Sequence, residues 1–171
     1  MIGNHKKQYQ EHREDLAGEY KWGDTGQLLL IIVFIIGLMA DLFLFKLSDS
    51  WQNIFPWYLR IIVILPLMIS AGYLNQRAHK KIFIEKRMKL MVIKTDVYSI
   101  IRHPMYFGSI LIYLSFVILS LSLIALMIFV VVVIFYYYLC LYEEDLLITK
   151  LEDEYKDYMK NVPMLIPRIR R

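Results

Sequence analysis

Thirty-nine consecutive residues, Pro104–Tyr142, contain no Asp, Glu, Lys or Arg. A soluble domain has little room for such a run, and a disordered chain lacks the hydrophobicity. The whole chain is 58% hydrophobic, against roughly 45–50% for ordinary soluble domains. As one straight helix the run would be about 58 Å long, roughly twice the hydrocarbon thickness of a bilayer. It is therefore expected to fold back on itself. A tight turn near Ser120-Leu121-Ser122 would divide it into spans 104–121 and 123–142.

Two further apolar runs, 27–46 and 57–75, bring the expected number of spans to four. Pro66 interrupts the second, which neighbouring helices can tolerate in a membrane. Trp51, Trp57 and Tyr58 resemble an interfacial aromatic belt. The polar arm 1–26 lacks the short apolar core of a signal peptide. The segment Asn75–His103 carries eight Lys or Arg, the tail after Tyr142 six and the arm before Gly26 four, while the loop Ser48–Pro56 carries none. An even number of spans puts all three basic segments on one side, the cytoplasmic side by the positive-inside rule. The formal charge of +4 is thus read as orientation in a membrane, with no nucleic-acid partner expected. In the tail, Leu146, Leu147, Leu151, Tyr155 and Tyr158 recur at helical spacing, which predicts an amphipathic helix along the membrane surface. Val162-Pro163 should end it. The expected fold is all-α: one multi-pass membrane domain over residues 1–171, about four spans, a C-terminal helical hairpin, then an interfacial helix in the tail 143–171. Both termini are expected in the cytoplasm.

Polar groups gather at the two mouths of the hairpin. The entry reads Tyr98-Ser99-Ile100-Ile101-Arg102-His103-Pro104-Met105-Tyr106-Phe107-Gly108, and the exit Tyr142-Glu143-Glu144-Asp145. An antiparallel hairpin places both mouths at one membrane face, so Arg102, His103 and Glu144 can converge. A cation, an imidazole, phenols and a carboxylate at the water–lipid boundary would suit a polar cofactor serving a lipid-soluble substrate. Each part also has a plain structural reading. Pro104 fits the first turn of a helix, Arg102 can snorkel to phosphates, and the glutamates can be a solvated helix start. Asp41 and Arg60, near the outer ends of their spans, read as interfacial residues that could pair. Tyr136-Tyr137-Tyr138 reads as bundle packing. His5, His12 and His79 lack metal-ligand spacing, and the single Cys140 permits no internal disulfide, so no metal site is expected.

Taken together, Thr95-Asp96-Val97-Tyr98 and Arg102-His103-Pro104-Met105-Tyr106-Phe107-Gly108 resemble the TxVYxxxRHPxYxG signature of the isoprenylcysteine carboxyl methyltransferase and phospholipid methyltransferase superfamily. Glu143-Glu144-Asp145-Leu146-Leu147, Tyr155, Tyr158 and Val162-Pro163 are similar to that family's EExxL…EYxxYxxxVP tail. The resemblance covers about Leu90–Pro167. It implies an integral membrane methyltransferase that uses S-adenosylmethionine, bound at the cytosolic face, to methylate a lipophilic or small acceptor carrying a carboxylate, amine or thiol. By position it implies cofactor contacts at Tyr98, His103, Pro104, Met105, Tyr106 and Glu144, and mainly backbone contacts at Leu90, Met91, Val92 and Ile93. It implies close helix approach at Gly108. No catalytic residue is assigned, and Arg102 is the one candidate. Membrane lipids are the expected surroundings.

Two positions depart from the family. The prenylcysteine enzymes carry an arginine, associated with substrate, four residues before the cofactor-binding glutamate; Cys140 stands there in this chain, which argues against prenylcysteine itself. Leu151-Glu152 stands where the family commonly has Phe-Gly. The residues alone leave two other readings open: a membrane reductase of related fold using a nicotinamide cofactor, and a non-catalytic membrane scaffold.

Overall fold

A computed structural model of the chain describes residues 23–49, 55–85 and 92–167. The polar arm up to Trp22, Trp51, Leu90 and Met91 lie outside them. The regular structure among the described residues is helical: α1 (Gly23–Met39), which runs into a π-helical turn at Ala40–Phe45; α2 (Trp57–Glu85); a 3₁₀ turn at Asp96–Ser99; α3 (Pro104–Ser120); and α4 (Leu123–Asn161). Among the described residues, three stretches are long and apolar enough to cross a membrane: Gly23–Phe45, Trp57–Ile82 and Leu123–Asn161. The fourth apolar helix, α3, has 17 residues. At 1.5 Å per residue that is about 26 Å, nearly a full turn short of the hydrocarbon core.

The expected hairpin is present. Leu121, in the left-handed conformation with φ 51°, ends α3, and its N–H bonds back to the Val117 carbonyl at 2.8 Å. Ser122 then caps α4, its hydroxyl accepting from the Ala125 N–H at 3.1 Å. Two boundaries differ from the sequence reading. Helix α2 continues through Pro66 and past residue 75 to Glu85, so basic residues 77–81 ride on the helix as it leaves the apolar zone. The tail helix is not a separate element starting at 143. Helix α4 passes straight through Glu143-Glu144-Asp145 and breaks only at Glu152 (φ 47°, ψ −123°). Charge at 143–145 ends the apolar run but offers nothing that stops helix propagation, since glutamate is a good helix former.

The core lies among α1, α3 and α4. Phe34, Ile110, Tyr113, Val117, Ala125, Val132, Tyr136 and Leu139 interlock there, with Phe34 edge-on to Tyr113 at 4.9 Å. Helix α2 packs on the other side of α3. A Cβ placed on Gly108 would sit 2.5 Å from Asn75 Oδ1, so the Asn75 side chain lies directly against the glycine and would have to move for any larger residue there. The large apolar side chains left exposed on α1 and α2 are the surface that a hydrocarbon phase would cover.

At the Ser120–Ser122 end, Asp41 is fully buried. Its carboxylate accepts from Ser48 Oγ at 2.6 Å, from the Leu47 N–H at 3.1 Å and from Ser122 Oγ. Ser48 Oγ in turn accepts from the Leu123 N–H at 2.9 Å. A carboxylate thus stands at the start of α4, where the helix dipole favours it. The Arg60 guanidinium donates to the Leu119 carbonyl at 2.9 Å, at the end of α3, where the dipole favours a cation. The pairing of Asp41 with Arg60 that the sequence allowed is replaced by two separate helix caps.

Candidate active site at the hairpin mouth

Three stretches of chain meet at the opposite end: the connector before α3, the part of α4 that follows Tyr142, and the tail after Asn161. Pro104 occupies the first turn of α3, where a missing N–H costs nothing. It directs the preceding residues back across the tail. The Arg102 N–H donates to the Pro163 carbonyl at 2.9 Å and the His103 N–H to the Met164 carbonyl at 3.1 Å. Tyr158 Oη donates to the Tyr98 carbonyl at 2.5 Å. Val92 packs with Tyr155, Tyr158 and Val162 in a second apolar cluster beneath this crossing, supported by Leu147 and Leu151. The helical spacing read in the tail thus serves to bury one face against the connector.

Within this crossing the polar side chains interlock. Arg102 Nε donates to Glu144 Oε1 at 2.7 Å and Nη2 to Glu144 Oε2 at 3.1 Å, a bidentate pair. Arg102 Nη1 also donates to the carbonyls of Met159 and Val162, each at 2.9 Å. The His103 ring lies with Nε2 3.1 Å from Glu144 Oε1 and Nδ1 3.4 Å from Glu143 Oε2. Tyr106 Oη donates to Glu143 Oε1, and its ring stacks on His103 with centroids 5.7 Å apart. Cys140, fully buried, is a hydrogen-bonding neighbour of the His103 ring.

Burial alone would lower the His103 pKa. Hydrogen bonds to Cys140, Glu143 and Glu144 outweigh that cost and hold it well above the ordinary value of 6.5. The raised pKa favours the imidazolium form of His103, which sets it beside the Arg102 guanidinium on the side of the cluster that faces Glu143 and Glu144. Such opposition of charges makes their burial tolerable.

The sequence reading brought Arg102, His103 and Glu144 together, and they meet as expected. Tyr106 and the Tyr98 backbone join them. Met105 stands to one side, at an open cavity of about 470 Å³ between α2 and the first turn of α3, lined also by Asn75, Gln76, His79 and Lys80. Of the backbone stretch 90–93, Val92 and Ile93 are described, and Val92 is buried under the tail. Two participants were not singled out from sequence, the carbonyls of Met159 and Val162, while Glu143 was read only as part of the exit motif and Cys140 only as a departure from the family. Glu143 shares the double-glutamate signal, and at 26% side-chain exposure it is the accessible carboxylate, whereas Glu144 is at 4%. Carbonyl groups leave no trace in side-chain pattern. Arg102, 9% exposed, makes four donor contacts within the protein, to Glu144 and to the carbonyls of Met159 and Val162.

A bundle of apolar helices with a buried, charge-balanced cluster at one end defines a membrane-embedded helical protein with a polar site at its boundary. The model of the family described as phospholipid methyltransferase matches residues 58–154, more than half the chain. The chain belongs to that family, one of membrane methyltransferases. No curated protein and no solved structure matches it.

Proposed function

We propose that the chain is an integral membrane methyltransferase that draws its methyl group from S-adenosylmethionine and delivers it to a lipophilic or small acceptor bearing a carboxylate, amine or thiol. The observation that carries this reading is the convergence of both halves of the sequence signature on one buried cluster, Arg102–His103–Glu143–Glu144. The donor set fits the cofactor's chemistry. The His103 imidazole suits its carboxylate, a glutamate suits its ammonium or ribose hydroxyls, and a phenol ring such as that of Tyr106 suits a sulfonium. Tyr98, His103, Pro104, Met105, Tyr106 and Glu144 would hold the cofactor, with the backbone of 90–93 alongside. S-adenosylmethionine supplies an activated methyl group. The residues' task is then alignment of acceptor and methyl in line, which can supply much of the acceleration. Arg102 serves by fixing Glu144 and the tail. The positive-inside pattern supports a site and termini on the cytoplasmic side, with membrane lipids as surroundings and as the source of acceptor. Cys140 in the hairpin leaves a carboxylate acceptor without the cation that prenylcysteine enzymes offer.

Calorimetric titration of monodisperse detergent-solubilised protein with adenosylhomocysteine tests this. Saturable binding is expected, weakened roughly tenfold or more by Glu144→Gln with monodispersity retained. Absence of binding to the wild type overturns the reading. Mass spectrometry of membranes incubated with isotope-labelled methyl donor then identifies the acceptor.

A further inference from the structure

Among the described residues, the Tyr113 hydroxyl is the buried side-chain polar atom left without a hydrogen-bond partner. Tyr113 is 8% exposed and lies seven residues beyond Tyr106 on α3, about 10 Å deeper into the apolar zone. Hydrocarbon offers such a group no donor or acceptor, so it bears the full cost of desolvation. The packing does not ask for it. Phe34 meets the Tyr113 ring edge-on at 4.9 Å, and a phenylalanine at 113 would present the same ring without that cost. Other uncharged polar groups gather on the same side. Tyr136 of α4, within electrostatic reach of Tyr113, donates a long bond of 3.4 Å to Gln27 Oε1 of α1. It is also a hydrogen-bonding neighbour of Ser109, one turn before Tyr113. Helical side chains lean toward the N-terminus of their helix; α3 starts at the charged cluster and α4 at the opposite end, so Tyr113 and Tyr136 lean toward each other. The Tyr136 ring in turn tilts against Tyr106, with centroids 5.4 Å apart. Three helices thus bring two phenols, a serine and an amide together behind Tyr106, in an apolar surround that includes Ile110, Val132 and Leu139.

We propose that Tyr113 Oη anchors the uncharged polar group of a lipophilic ligand in a site between α1, α3 and α4, and that this ligand is the methyl acceptor. Two observations set its chemistry. The unpartnered hydroxyl calls for a hydrogen-bonding group. The hairpin around it carries no Asp, Glu, Lys or Arg from Pro104 to Tyr142, so an ionised group would find no counter-ion there. Helix α1 adds Asp24, which is exposed in its first turn, and leads to Asp41, which is engaged at the far end. Of the acceptor groups named above, an ionised carboxylate is therefore disfavoured, while a thiol or a neutral amine fits. Identification of the ligand as the acceptor rests on the methyltransferase reading; the binding itself does not. Tyr106 stands between the two regions: its hydroxyl bonds Glu143 in the charged cluster, and its ring meets Tyr136 on the apolar side. A group anchored at Tyr113 approaches that ring from the hydrocarbon side, and a polar cofactor held by the cluster approaches it from the aqueous side. In-line transfer requires donor and acceptor to be aligned on opposite sides of the methyl.

The test uses the full chain in detergent, with decanol, decane and decanoate as probes, and thermal stabilisation and calorimetry as readouts. Decanol is expected to bind saturably, and decane and ionised decanoate at least roughly tenfold more weakly. Tyr113→Phe is expected to cost decanol roughly tenfold in affinity while leaving adenosylhomocysteine affinity unchanged. Without ligand, its unfolding temperature should equal or exceed that of the wild type, because the hydroxyl it removes has no partner to lose. Tyr138→Phe, at an exposed phenol of α4, is the control and should change neither quantity. Decane or decanoate binding as tightly as decanol overturns the proposal, as does decanol affinity untouched by Tyr113→Phe. A lower unfolding temperature in ligand-free Tyr113→Phe would show a structural role for the hydroxyl and overturns it also. A parallel loss of adenosylhomocysteine binding in Tyr113→Phe would give the position to the cofactor instead. In membranes incubated with isotope-labelled methyl donor, decanol should suppress labelling by the wild type; binding without such competition overturns the identification as acceptor site. If the wild type binds decanol in a Tyr113-dependent way but not adenosylhomocysteine, the site stands and the methyltransferase reading falls.

Discussion

The two ends of the helical bundle each bury a carboxylate, and they stabilise it in opposite ways. Asp41 is held by two serine hydroxyls and backbone N–H groups, and among the described residues no cation is one of its partners. Those donors are the local needs of a helix start and a turn, so the carboxylate closes one end of the hairpin and is spent in doing so. Glu144 is held by a guanidinium and an imidazole that reach it across more than forty residues of sequence. That end also keeps a second, more accessible carboxylate in Glu143, stacked rings and an adjoining cavity. A buried charge by itself therefore says little about function. What separates a cap from a site is whether the surrounding groups exceed what the backbone requires.

Arg102→Met gives the largest expected effect. It leaves Glu144 buried without its bidentate partner and frees the carbonyls of Met159 and Val162. Breaking a buried pair from one side costs about 3–5 kcal/mol, so a large fall in thermal stability in detergent is expected, with loss of adenosylhomocysteine binding. Stability within about 1 kcal/mol of wild type would show that the pair behaves as an exposed one. The same end should respond to pH. Because the folded-state pKa of His103 is raised, its contribution is complete below 6.5, the ordinary value, and is lost as pH rises through the folded-state value. Unfolding temperature should therefore decline on the alkaline side of pH 6.5, and His103→Gln should flatten that decline. A profile unchanged by the substitution removes His103 as its source.

At the other end, Asp41→Ala removes the acceptor for Ser48 and Ser122 and a negative charge at the start of α4. Loss of a capping group with its buried hydrogen bonds should cost about 2 kcal/mol. Adenosylhomocysteine affinity should stay at the wild-type value, because the cap lies at the far end of the hairpin. The same titration series checks it. A cofactor affinity that falls with Asp41→Ala as it does with Arg102→Met would mean that the two ends act as one unit, and the distinction between cap and site would fail.

Sequence alone made the hairpin legible, because a 39-residue uncharged run has one economical way to sit in a bilayer. It made the meeting of Arg102, His103 and Glu144 legible for the same reason. It did not reveal the tail as a strap. That depends on the backbone bonds from Arg102 and His103 to Pro163 and Met164, and such bonds carry no side-chain signature. It named Glu144 for that meeting but gave Glu143 no place of its own, since adjacent residues on a helix point about 100° apart and only the packing of α3 shows which one stays accessible. The continuity of α4 past Tyr142 was hidden by the polarity change at 143–145, which marks the edge of a membrane and not the end of a helix. Asp41 and Arg60 were read as interfacial residues that could pair, because opposite charges near one membrane face invite it. Helix termini offered each a better-placed partner.

Glu152 is the smallest expected effect and the one that most sharpens the contrast, because it acts on the strap and not on the caps. Its φ of 47° with ψ of −123° is a conformation that glycine reaches freely and a residue with a Cβ does not. Family members commonly place glycine here, and this chain pays the conformational cost because the break is what turns the last part of α4 back over the connector. Beyond that bend the Met159 and Val162 carbonyls accept from Arg102 Nη1. Glu152→Gly should relieve strain of about 1–3 kcal/mol, offset by the greater freedom of glycine in the unfolded chain, roughly 0.5–1 kcal/mol. A net gain of about 1 kcal/mol is expected, seen as a higher unfolding temperature and slower proteolysis of the tail, with the Asp41 end unaffected. Glu152→Ala keeps the Cβ and should bring no such gain, which separates backbone relief from loss of the carboxylate. Equal stabilisation by both substitutions would mean that the charge, and not the bend, is what the strap tolerates.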